Sequence, residues 1–180
     1  MTDKSSMKLP SNLKNYGNKI QISYQKEEYL KSFYQTLDKV ARELTYLEMT
    51  EAKPFKEIAQ FQRNLVSNNW PGYYAIYSGE VVGWVDITPA SSPRLCHRGF
   101  LGMGLLPSFR GQGVGYNLLM KALDHAKKMG LEKVELNVYS ENAPAIGLYK
   151  KCGFSEVGYI KNYRKLSNRY FDCIIMELSL

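Results

Sequence analysis

The stretch Leu105-Leu-Pro-Ser-Phe-Arg-Gly-Gln-Gly-Val-Gly115 decides how this chain is read. A short apolar run over residues 99–106 leads into it, and an amphipathic segment leaves it. A strand, a glycine turn and a helix start, in that order, make an anion site. Amides at a helix N-terminus have no intrahelical partner, and the helix dipole favours negative charge there. Glycines let the backbone approach a ligand with no Cβ in the way. Three ligand readings compete with a bare glycine turn. A kinase-type P-loop closes on a Lys-Ser/Thr pair, whereas Tyr116 and Asn117 follow Gly115 here. A dinucleotide fingerprint needs Gly-x-Gly-x-x-Gly spacing, which Gly111, Gly113 and Gly115 do not keep. Glu135, near the distance of that motif's acidic residue, is weak support alone. The third reading is the pyrophosphate of coenzyme A, and the rest of the chain favours it.

Outward from the loop, residues 113–129 carry Leu118, Leu119, Ala122, Leu123 and Ala126 at core-facing helical spacing, with Gly130 as a stop. Lys133-Val-Glu-Leu-Asn-Val-Tyr139 reads as a strand, and Pro144 opens a short helix that ends near Gly153. Residues 155–160 and 169–178 read as two closing strands. Upstream, residues 19–24 alternate as a half-buried strand does, and residues 27–44 have helical spacing. Pro54 opens a second helix. Residues 70–77 and 81–88 flank Ser78-Gly79, a strong hairpin signal. Residues 89–97 form a loop rich in Pro and Ser. Residues 1–18 read as a flexible N-terminal arm, and residues 19–180 as a single domain of α/β or α+β class.

Composition narrows the class. The chain has 180 residues, 44 % hydrophobic and 23 % charged, which suits one soluble globular domain. No apolar run approaches a membrane span, and the first residues lack the apolar core of a signal peptide. A cytoplasmic location and no membrane partner are therefore expected. Cys96, Cys152 and Cys173 fit neither a disulfide framework nor a zinc pattern, and His97 and His125 are the chain's two histidines, so no metal is expected. The net charge of +7 suits a polyanionic cofactor as well as nucleic acid. No run of five or six basic residues occurs; nucleic acid is not expected as a partner. The sequence leaves monomer and homodimer open.

After the 133–139 strand come Asn142, Ala145-Ile146, Leu148-Tyr149 and Gly153-Phe154. Together with Arg110, Gly113 and Gly115, these residues make the chain resemble the GNAT superfamily of N-acetyltransferases, from about Tyr74 to the C-terminus. The resemblance implies a mixed, largely antiparallel central sheet of about seven strands flanked by helices, with a splayed parallel strand pair at the acetyl-CoA site. It also implies acetyl-CoA (coenzyme A) as co-substrate, with backbone groups of Met103, Gly104 and Leu105 on the pantetheine arm. Loop amides from Arg110 through Gly111, Gln112, Gly113, Val114 and Gly115 to Tyr116 would cradle the pyrophosphate. Asn142 matches a coenzyme-contacting position. Tyr149 matches the tyrosine that protonates the departing thiolate, and a phenol is a plausible donor to a thiolate.

The general base is open. Relatives that acetylate ribosomal-protein N-termini carry a glutamate where this chain has Asn137. Asp86 lies in an apolar alternation, and burial there would raise its pKa. Glu135, whose parity opposite to Leu136 suggests a solvent-facing side chain, His97 and a water relay are the alternatives. Tyr163 and Arg164 are candidates for the acceptor pocket, as are aromatics of the N-terminal helices. The expected activity is acetyl transfer from acetyl-CoA to a primary amine, on a small molecule or a protein. The alternative is a non-catalytic acyl-CoA-binding sensor or interaction module.

Overall fold

The computed structural model describes residues 19–180; the N-terminal arm expected over residues 1–18 lies outside the described residues. The strands are β1 (Gln21–Tyr24), β2 (Gly72–Tyr77), β3 (Glu80–Pro89), β4 (Arg98–Leu105), β5 (Lys133–Tyr139), β6 (Ser155–Leu166) and β7 (Arg169–Ser179). The helices are α1 (Leu30–Ala41), α2 (Phe55–Ser67), α3 (Val114–Lys128) and α4 (Ala143–Lys151). The strands form one seven-stranded sheet in the order β1-β2-β3-β4-β5-β7-β6. Every pairing is antiparallel except β4 with β5. This is the mixed, largely antiparallel sheet that the family resemblance implied.

Strand alternation sorts the side chains into two cores. Val85 and Ile87 of β3 and Val134, Leu136 and Val138 of β5 pack with Leu118, Leu119 and Ala122 of α3 and Tyr149 of α4. Tyr74 and Trp84, on the opposite face, pack with Phe33 and Leu37 of α1 and Ile58 of α2. Phe33 stacks on Tyr74 at 5.1 Å and meets Trp84 edge-on at 5.6 Å. Gly104 sits opposite Trp84 in the β3–β4 register, and a Cβ there would overlap the indole ring. Gly104→Ala is therefore expected to destabilise the fold by about 1–3 kcal/mol, the range for an overpacked site. Thermal unfolding reads this directly.

The β2–β3 hairpin turns on Ser78 and Gly79, with φ of 51° and 82°, as its sequence indicated. β6 runs to Leu166, past the expected end near residue 160, because Asn162 and an irregularity in the β6–β7 register let the strand bend and continue. His125, in the middle of α3, is half-buried. Its Nδ1 lies 3.2 Å from the Tyr73 hydroxyl, and its ring packs on Tyr24. No helix among the described residues is long and apolar enough to cross a membrane.

Candidate functional site

The parallel pair β4–β5 is joined only at Arg98–Lys133, Gly99–Val134 and Phe100–Glu135. Beyond Phe100 the strands part. Residues 101–105 of β4 are consequently half-buried although β4 is the middle strand of the sheet. On that side their backbone groups lack a neighbouring strand, which an unpaired polar backbone does not tolerate without another partner. Met103, Gly104 and Leu105 border this cleft.

The glycine turn closes one end of this cleft. Gly111 and Gly113 adopt φ of 71° and 79°, a left-handed conformation that other residues reach only with strain. A Cβ at either would meet nothing within 4 Å, so backbone shape is what demands glycine. The first α3 bond from the turn runs from the Asn117 amide to the Gly113 carbonyl at 3.1 Å. The amides before it are left over by helix geometry and carry the positive end of the dipole. Gly115 is where three elements converge: a Cβ would lie 3.2 Å from Leu105 and Leu148 and 3.5 Å from Met103. Lys151 of α4 stands over the Tyr116 ring at 4.8 Å, adding a cation beside the turn.

Arg110 serves this loop differently from its neighbours. Its amide donates to the Pro107 carbonyl. Its Nε donates to the Leu105 carbonyl at 2.9 Å, and its two terminal nitrogens donate to the Glu43 carboxylate at 2.8 and 2.6 Å. Tyr46 lies against the guanidinium at 5.0 Å. The side chain thus ties the turn to the segment after α1. Arg110→Ala is expected to lower stability by about 1–3 kcal/mol, the scale of charged hydrogen bonds. Thermal unfolding with and without coenzyme A separates that loss from any loss of affinity.

Tyr149 is 7 % exposed, with its ring against Phe154. Burial, with a lesser contribution from Cys152, raises its pKa well above the ordinary phenol value. Its hydroxyl has no hydrogen-bond partner among the described residues. Asn142 caps α4, its Oδ1 accepting from the Ala145 amide at 3.3 Å. Cys152 is half-buried beside it, and burial raises its thiol pKa.

The base candidates separate clearly. Glu135 is buried, not turned to solvent as its parity suggested. Arg98 binds it in a fork and Lys133 adds a second cation; the Arg98 hydrogen bonds lead in holding its pKa low. His97 lies just before β4, its carbonyl accepting from the amides of Glu132 and Lys133 at the closed end of the pair. Asp86 stands between Gly72 of β2 and Gly102 of β4. Its Oδ1 would be 3.4 Å from a Cβ on Gly102, so the β4 residue directly opposite puts no side chain over it. Burial pushes its pKa up to about 7.

α1 stops at Ala41, short of the helical spacing that runs to residue 44, and the segment after it crosses the open end of the cleft. Residues 42–54, between α1 and α2, bind Arg110 through Glu43, Arg164 through the Leu44 carbonyl, and Tyr163 through Glu48. Asn137 donates to the Tyr163 hydroxyl at 3.4 Å. Tyr139, Tyr163 and Arg164 therefore gather beneath this strap. Its run of Glu43, Glu48 and Glu51 was visible in the sequence, but nothing local said which partners each would find.

A family model described as the acetyltransferase (GNAT) family matches residues 32–154. An N-alpha-acetyltransferase of Sulfolobus acidocaldarius is 31 % identical over 146 residues, covering 68 % of this chain and 87 % of that protein. An L-amino acid N-acetyltransferase of Escherichia coli is 31 % identical over 103 residues, covering 57 % of this chain and 64 % of that protein. The chain spans less than two thirds of the length of several curated relatives it matches, down to 28 %. A phosphinothricin acetyltransferase from Sinorhizobium meliloti, solved in complex with acetyl-CoA, superposes with a TM-score of 0.84. It is 18 % identical, over 90 % of this chain and 89 % of that one. At that identity the likeness speaks for the fold.

Proposed function

Because the chain belongs to the GNAT acetyltransferase family, we propose that it moves an acetyl group from acetyl-CoA to a primary amine. The observation that carries this reading is the parting of β4 from β5 directly above the left-over amides of α3. In this reading residues 19–180 are one N-acetyltransferase domain. The amides from Gly111 to Tyr116 receive the pyrophosphate, with Lys151 beside them and Arg110 holding the turn in place. The unpaired backbone of Met103, Gly104 and Leu105 receives the pantetheine amides, and Asn142 borders the same ligand.

The chemistry is direct attack. The amine nitrogen bonds to the thioester carbonyl carbon as the carbon–sulfur bond breaks. Asp86 takes the proton the amine loses, reached across Gly102. Tyr149 gives its proton to the departing thiolate; its raised pKa keeps the phenol protonated until that base appears. Holding both reactants in one cleft supplies proximity without a covalent enzyme intermediate. The acceptor enters from the α1–α2 face, under the strap. Amino acids and a protein alanine are the first acceptors to try, since relatives are named for L-amino acid and for ribosomal-protein-alanine N-acetyl transfer.

Calorimetric titration with acetyl-CoA tests the binding half. One-to-one binding is expected, weakened in Gly113→Ala, where a methyl strains the turn by about 1–2 kcal/mol. A folded protein that ignores acetyl-CoA would remove the proposal. Binding with no turnover on any amine would make the chain an acyl-CoA-binding module.

A further inference from the structure

Beneath the strap lies a buried cation without an anion, and the strap itself carries an exposed anion without a cation. Arg164 is 9 % exposed and Tyr139 5 % exposed. The Arg164 Nη2 and the Tyr139 hydroxyl are both enclosed and both lack a hydrogen-bond partner. Arg164 Nη1 donates to the Leu44 carbonyl at 3.2 Å, and the guanidinium lies 5.6 Å from the rings of Tyr139 and Phe171. No carboxylate pairs with it among the described residues. Buried guanidinium groups normally have such a partner, because an uncompensated buried charge is costly.

The Tyr163 ring lies 6.4 Å from that of Tyr139, on the same patch. Its hydroxyl donates to Glu48 and accepts from Asn137. Glu48 is exposed and makes no ion pair among the described residues. Neither charge is satisfied by the other. The cation stands over the Tyr139 ring and the anion at the Tyr163 hydroxyl, and those two rings are neighbours.

We infer that the acceptor is a free α-amino acid, bound as its zwitterion by this divided pair of charges. Its carboxylate is received by Arg164 Nη2 and the Tyr139 hydroxyl, and its ammonium is drawn in by Glu48. The inference rests on the acetyltransferase reading above and names the substrate class of that cleft. A peptide N-terminus has no carboxylate beside its amine and would leave the guanidinium unpaired. A polyamine would do the same. Both unpartnered atoms are covered, so the acceptor reaches them as the strap shifts. Leu44, whose carbonyl rests on the guanidinium, is held at a φ of 59°, a strained conformation for leucine.

The test is a set of matched acceptors: L-methionine, L-phenylalanine, L-glutamate and L-lysine, each beside its own α-carboxamide. Thiol release from acetyl-CoA gives the rates. The free acid of at least one pair is expected to be favoured about 10- to 100-fold in kcat/KM, the scale of a hydrogen bond to a charged group. Tyr139→Phe, which removes one oxygen and keeps the ring, is expected to raise the KM of the free acid and leave that of its amide unchanged. Arg164→Lys should narrow the preference further. Acetyl-CoA binding should be intact in both variants, which also reports that they fold. Amides used as well as acids would overturn the zwitterion site and leave acetyl transfer standing. Acetyl-CoA bound with neither series turned over would overturn both.

Discussion

Tyr149→Phe is expected to lower kcat by about 100- to 1,000-fold, the range for removing a general acid. The KM for acetyl-CoA should stay within about a factor of two, because a general acid to the thiolate acts only as the carbon–sulfur bond breaks. The structure separates this effect from packing. The ring is buried in the α3–α4 core, and phenylalanine keeps it. The hydroxyl has no protein partner among the described residues, so its loss breaks no internal bond. Stability should therefore hold, and thermal unfolding of the variant verifies that. Burial raises the phenol pKa, so its ionisation should leave no limb in the rate profile near neutral pH. An undiminished kcat would reduce Tyr149 to a core aromatic.

Asp86→Asn should have the other large effect, about 100-fold or more in kcat, with the acidic limb of the pH–rate profile abolished. In the parent protein, kcat/KM should rise with pH through about 7, as the buried carboxyl becomes able to accept a proton. The linkage to stability has the opposite sense to that of an ordinary carboxylate. With a folded pKa near 7 and an unfolded value near 4, the native state binds more protons between them. Stability contributed by this group is therefore present at low pH and lost as pH rises through 7. Asp86→Asn should then be more stable than the parent at pH 8, by up to roughly 4 kcal/mol, and show little gain at pH 4. Rates and melting curves across pH 4–9 read both halves. A variant that kept its rate and its acidic limb would send the search for the base elsewhere.

Local pattern carried most of the fold. The Arg110-x-x-Gly113-x-Gly115 turn, the 133–139 strand and the Ala145 to Phe154 segment lie close in sequence, and each encodes its own geometry. Period-2 and period-3.6 alternation also placed both hairpin strands and the buried face of α3. What stayed hidden is long-range. Glu135 alternates like a solvent-facing residue, yet Arg98, 37 residues away, buries it in an ion pair. The strap's contacts span 115 residues from Glu48 to Tyr163 and 120 from Leu44 to Arg164. Side-chain reach across a sheet has no signature in local spacing. Arg110 shows the same limit. Its motif position concerned the loop amides, and nothing local said that its guanidinium would reach Glu43, 67 residues away.

Incubating the protein with isotopically labelled acetyl-CoA and the amine panel, then weighing the amines by mass spectrometry, tests the central claim most directly. Acetyl transfer predicts at least one amine gaining the labelled acetyl group with one free thiol released per transfer, and both signals collapsing in Tyr149→Phe. Thiol release with no acetylated amine, or equal transfer by Tyr149→Phe, would contradict the mechanism derived from this cleft.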